Sequence, residues 1–112
     1  MPTVVNETNF QREVLQDSRP VLVHFWTPWC GLCRLISPIL ETIQGEGEEL
    51  VKLASINADE NFKLANFYRL QSLPTIMLFK DGVLIERLDG FNSRDRLKTS
   101  LEMLMNNVLS TP

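Results

Sequence analysis

Cysteine, histidine and tyrosine are scarce in this chain of 112 residues: it has two, one and one. Two cysteines cannot build the disulfide framework that staples small secreted domains. Structural zinc takes four ligands. Cys30, Cys33 and His24 offer three at most, so a zinc site would need a second copy of the chain. No apolar run approaches the roughly 20 residues of a membrane-spanning helix, so no membrane partner is expected. There is no Lys/Arg-rich run and the net charge is −3, which argues against a nucleic-acid surface. The amino terminus, Met1-Pro2-Thr3-Val4-Val5-Asn6-Glu7, lacks the basic segment and apolar core of an export signal. A cytoplasmic, reducing compartment is therefore expected, where paired cysteines serve catalysis or metal binding more than stapling.

What is present is a composition able to fold. Apolar residues make up 44%, enough for a packed core, and 112 residues leave room for one domain, 1–112. Charges of both signs are mixed along the chain, unlike a disordered segment.

Periodicity orders the elements. Val4–Val5 reads as a short strand. A helix follows, with Asn6 or Thr8 as N-cap and Phe10 and Val14 on one face, until Ser18-Arg19-Pro20 breaks it. Val21 to Trp26 is nearly all apolar, as in a strand covered on both faces. Ile36, Leu40 and Ile43 mark a helix from Gly31 to Gln44, kinked at Pro38 and ended by Gly45 and Gly47. Leu50 to Asn57 is another buried strand, and Asp59 is the expected cap of a short helix reaching Tyr68. Thr75 to Phe79 and Val83 to Leu88 flank the hairpin signal Lys80-Asp81-Gly82. Gly90 breaks the last strand. Ser93 begins a helix striped by Leu97, Leu101, Leu104 and Val108, with fraying expected after Leu109. The order β-α-β-α-β-α-β-β-α predicts an α/β fold. It has a single mixed central sheet of about five strands flanked by four helices.

The chemistry concentrates at Trp29-Cys30-Gly31-Leu32-Cys33, where the apolar strand runs into the long helix. A helix start offers free N–H groups and the positive end of a dipole, and both favour a thiolate. A thiolate there is the nucleophile of thiol–disulfide exchange.

With these residues in view, the chain resembles the thioredoxin family over almost its full length. The resemblance rests on Trp29-Cys30-Gly31-x-Cys33, Pro38 within the long helix, Pro74 before Thr75, the turn Lys80-Asp81-Gly82, and Gly90. It implies a thioredoxin fold and a protein-disulfide reductase that acts as an electron carrier in cell redox homeostasis, with no cofactor. Cys30 would be the nucleophile, Cys33 the resolving thiol, and Cys30–Cys33 the redox-active disulfide. Trp29, Gly31, Leu32, Leu73, Pro74, Thr75 and Gly90 would line the substrate groove, with a cis bond before Pro74. The backbone of Leu73-Pro74-Thr75 would pair with an extended target segment. Partners would be oxidised target proteins and an upstream reductase, either a thioredoxin reductase or a ferredoxin-linked one. That reductase would read the surface around Trp29, Leu32 and Arg34. A monomer is expected.

Three positions depart from the family pattern. Leu32 stands where proline is usual, His24 where a buried Asp is usual, and Ser55 where that Asp has a Lys beside it. A neutral imidazole at His24 would accept the Cys33 proton without a countercharge, or serve only as a hydrogen-bonded core histidine. Leu32 restores an N–H near the first sulfur, which favours the thiolate and a more oxidising couple than Pro would give. The departures leave two other functions open. One is a redox-sensing or partner-binding module with poor turnover; the other is a disulfide isomerase or oxidant with a raised potential.

Overall fold

A computed structural model describes residues 2–45 and 50–110. The expected terminator Gly47 and the chain end beyond Ser110 lie outside them. Five strands form one sheet: β1 (Thr3–Val4), β2 (Val21–Trp26), β3 (Lys52–Asn57), β4 (Thr75–Lys80) and β5 (Val83–Leu88), in the order β1-β3-β2-β4-β5. Pairing is parallel among β1, β3 and β2 and antiparallel from β2 through β4 to β5. This is the thioredoxin fold, a mixed open sheet flanked by four helices, with a further 3-10 turn among the described residues.

Alternation along the strands divides the core in two. Leu22, Leu53, Ile76 and Leu78 face the long helix α1 (Gly31–Gly45) and the last helix α3 (Arg94–Ser110), meeting Ile36, Leu40, Leu97, Leu101 and Met105. Val21, Val23, Phe25, Met77 and Phe79 face the other way, onto Phe10, Val14 and the ring of Tyr68. The central strands are thus covered on both sides, which explains their continuous apolar runs. In α3, Ser93 accepts the Arg96 N–H at 3.2 Å, as an N-cap should. Met105 joins the expected stripe.

Two elements differ from expectation. The first helix shrinks to a π-helical turn over Gln11–Leu15. Neither Asn6 nor Thr8 caps it: its cap position is Phe10, and Asn6 instead closes the preceding turn, its Oδ1 accepting from Thr8 and Asn9 while Asn9 Oδ1 accepts from Asn6 N–H. At its far end Gln16 N–H reaches Gln11 O instead of advancing one residue. The short helix α2 (Phe62–Phe67) is not capped by Asp59. Its amino end is held by Glu7, whose Oε2 accepts the N–H groups of Lys63 at 2.6 Å and Leu64 at 3.3 Å. Asn57 takes the local capping task for the 3-10 turn Ala58–Glu60 by accepting Asp59 N–H.

The hairpin turns where Asp-Gly predicts. Asp81 and Gly82 both have positive φ, 52° and 78°, as a two-residue turn matched to strand twist requires. A Cβ on Gly82 would also come within 3.1 Å of Leu15 O. Among the described residues no helix is long and apolar enough to cross a membrane.

Candidate active site

Strand β2, central in the sheet, ends at Trp26, and a tight turn carries the chain into α1. Cys30 N–H bonds Thr27 O at 3.2 Å, and Arg34 N–H bonds Cys30 O at 3.3 Å. Cys30 therefore occupies the cap position of α1, joined to Cys33 by a disulfide with a Cα–Cα distance of 5.3 Å. Cys33 N–H donates to Cys30 Sγ at 3.1 Å. A free helix-start N–H aimed at sulfur is the donor a thiolate needs. Cys30 is more covered than the sequence suggests, at 7% exposure, but more open than Cys33 at 2%.

Trp29 exposes 68% of its surface, yet its indole is fixed: Nε1 donates to Asp59 Oδ2 at 2.8 Å. Asp59 lies within the 3-10 turn, two residues before the cap position of α2 at Asn61, and faces the indole instead. Arg34 folds back, its Nη1 donating to Pro28 O at 2.8 Å, so the guanidinium braces the turn before the cysteines. Gly31 stands exposed at the first position of α1, whereas Leu32 is partly buried against the α1–α3 core. Leu32 thus serves packing as well as the rim.

The loop before β4 forms a second wall. The Leu73–Pro74 peptide is cis, as the resemblance implied. Thr75 Oγ1 donates to Ser72 O at 2.7 Å, and Gly90 N–H donates to Ser72 Oγ at 3.1 Å. Ser72 thereby ties Gly90 (φ 71°) to the Leu73–Thr75 segment. Leu73 and Trp29 line one groove of about 460 Å³ with Asp59, Phe62, Ala65 and Leu70. Gly90 lines a separate depression with Phe91 and Arg96.

The sequence reading missed Asp59, Ser72 and Phe62. One signal could have found Asp59. Parallel pairing puts Asn57 beside Trp26, so a residue two beyond Asn57 lies near one three beyond Trp26. Ser72 carries no comparable mark in the sequence.

His24 is buried at 4% exposure on the α1-facing side of β2, paired in register with Ser55 on β3. A cavity of about 20 Å³ adjoins it, lined by Pro2, Ser37, Leu40, Glu41, Leu53 and Ser55. That is room for one water among polar groups. His24 Nε2 has no hydrogen-bond partner among the described residues. Burial lowers its pKa from 6.5 to about 4, so the ring is neutral at neutral pH. Glu41 is the other ionisable group lining the cavity.

A stability change follows from that burial. The folded value lies below the unfolded one, so the unfolded chain takes the proton first as pH falls. His24's contribution is complete above pH 6.5, declines between 6.5 and about 4, and then levels off. Over that window it amounts to about 3 kcal/mol. Urea unfolding of the oxidised protein at several pH values should show this decline, and His24→Leu should remove it. Parallel curves for both proteins would mean the buried imidazole is already solvated.

By sequence, the chain has relatives among known proteins. The thioredoxin family model matches residues 1–103. Thioredoxin 1 of Synechococcus elongatus is 40% identical over 98 residues, covering 88% of this chain and 92% of its own length. A thioredoxin of Rickettsia bellii is 38% identical over 108 residues, covering 96% and 100%. A chloroplastic M-type thioredoxin of Chlamydomonas reinhardtii is 40% identical over 102 residues, covering 91% and 73%. A Cys-x-x-Cys disulfide at a helix start, on this sheet and beside a cis-proline loop, makes the chain a thiol–disulfide oxidoreductase of the thioredoxin family.

Proposed function

We propose that the chain, as one domain over 1–112, reduces disulfides of target proteins, with Cys30 as nucleophile and Cys33 as resolving thiol. The observation that carries this is the Cys33 N–H held 3.1 Å from Cys30 Sγ at the start of α1. In the reduced form that donor favours a thiolate on Cys30. The Cys30 thiolate attacks one sulfur of a target disulfide, forming a Cys30–target bond and releasing one target thiolate. Cys33 loses its proton and attacks Cys30 Sγ. The Cys30–Cys33 disulfide forms, and the second target thiolate leaves. Two electrons have moved from the dithiol to the target. An upstream reductase, flavin-dependent or ferredoxin-linked, restores the dithiol at the face around Trp29, Leu32 and Arg34.

His24 receives the Cys33 proton in this scheme. It lies on the α1-facing side of β2, neutral and with Nε2 unengaged among the described residues. Burial alone makes it a weak acceptor, and the thiolate developing on Cys33 strengthens it. The cysteines, His24 and the groove belong to one chain, which suits a monomer. A pair kept for turnover suits a reducing compartment such as the cytoplasm.

A single-turnover experiment tests this reading. Protein reduced by a dithiol and freed of it should yield two target thiols per Cys30–Cys33 disulfide formed, followed by rapid quenching and mass analysis. His24→Ala should slow decay of the mixed disulfide more than its formation. Absence of target thiols would overturn the reductase; equal slowing of both steps would remove His24 from it.

A further inference from the structure

Phe62, the first residue of α2, leaves 67% of its surface exposed. Its aromatic neighbours are otherwise engaged: Phe67 packs edge-on against Tyr68 at 4.9 Å, and Tyr68 against Phe79 at 5.7 Å. So exposed a ring adds little to the core. It lines the 460 Å³ groove together with Trp29, Ala65, Leu70 and Leu73. Two supports are set before anything binds. Trp29 is pinned to Asp59, and the start of α2 is pinned to Glu7. The groove is continuous with the exchange site through Leu73, which precedes the cis-proline, and its rim carries the exposed carboxylate of Asp59.

We propose that Phe62 and Trp29 form a side subsite of the exchange groove. Its occupant is a bulky apolar side chain next to the attacked cysteine of an extended target segment, flanked by Lys or Arg that meets Asp59. The proposal rests on the reductase reading of Cys30 and Cys33. An aromatic side chain placed beside the pinned Trp29 indole and the Phe62 ring buries apolar surface and gains stacking geometry at reduced ordering cost. The acidic rim adds attraction for a basic neighbour and disfavours an acidic one.

The test uses two short peptides with an intramolecular disulfide and a neighbouring Lys, differing only in Phe or Ala beside one cysteine. For wild type, kcat/KM should favour the Phe peptide about tenfold, chiefly through KM. On Phe62→Ala the preference should shrink to about twofold or less, and Phe62→Trp should restore it. Changing the peptide's Lys to Glu should raise KM severalfold on wild type. A preference that survives in Phe62→Ala overturns the subsite, as does none in wild type. An unchanged KM for the Glu peptide overturns the acidic rim's part. If wild type reduces neither peptide, the reductase reading itself fails and the subsite with it.

Discussion

Serine at position 30 is expected to drop target-disulfide reduction to the uncatalysed background, and serine at position 33 to arrest it halfway. The two sulfurs differ in ways that separate the steps. Cys30 caps α1 and accepts the Cys33 N–H, while Cys33 lies one turn in at 2% exposure. A target disulfide can approach only the first. Cys33→Ser keeps the attacking thiolate and loses the group that expels the target, so one covalent adduct per chain should accumulate. Cys30→Ser should form none, because its remaining thiol is shielded. Mass spectrometry after quenching, with and without added dithiol, reads both outcomes. An adduct on Cys30→Ser through Cys33 would reverse the roles.

The largest stability loss should come from the far end of the sheet. Lys52 is almost wholly buried, its side chain 8% exposed, where β3 begins beneath the π-helical turn. Its Nζ donates to Glu13 O at 2.8 Å, Glu13 Oε2 at 2.6 Å and Asp17 Oδ2 at 3.3 Å. Lys52→Met keeps the methylenes and removes the charge. Asp17 retains Arg19 at 3.1 Å but loses its inner partner, and a backbone carbonyl loses its donor. Removing the buried member of this set costs about 1–3 kcal/mol, because a backbone carbonyl and the inner carboxylate lose their donor while water still reaches the partly exposed Glu13 and Asp17. Denaturant titration at neutral pH should show a loss of this size. A change under about 1 kcal/mol would place the network among ordinary surface pairs.

Acid should reproduce part of the effect. The Arg19 hydrogen bond chiefly, with Lys52 adding to it, holds Asp17 far below the usual carboxylate range, and Lys52 lowers Glu13. Depressed folded values mean full stability above the unfolded values of 3.8 and 4.5, and loss as pH falls below them.

The strands were legible because each apolar run is bracketed by a breaker: Pro20 before β2, Pro74 before β4, Asp81-Gly82 before β5. The cysteine pair was legible because its spacing is local and the elements around it are strongly patterned. The pairing of His24 with Ser55 was legible through the resemblance, and the register of β2 on β3 places the two side by side. What escaped were contacts between residues far apart in sequence. Asp59 looks like any cap until Trp29, 30 positions earlier, needs an acceptor. The π-turn escaped because Phe10 and Val14 satisfy helical spacing, while the backbone shift at Gln16 is a matter of one hydrogen bond.

Six residues are too few for a helix to persist unaided, and α2 has six. It stands because a carboxylate from position 7 closes its amino end, and because Asn61 Oδ1 accepts the N–H of that same Glu7. The leading stretch of the chain is therefore the anchor of the groove. Whatever loosens the Asn6–Asn9 turn would first be felt some 55 residues downstream, as a slackening of the first turn of α2, which carries Phe62. Shape at the exchange site and order at the amino terminus are one mechanical property, so a change that touches no sulfur and no strand can retune which targets the protein accepts.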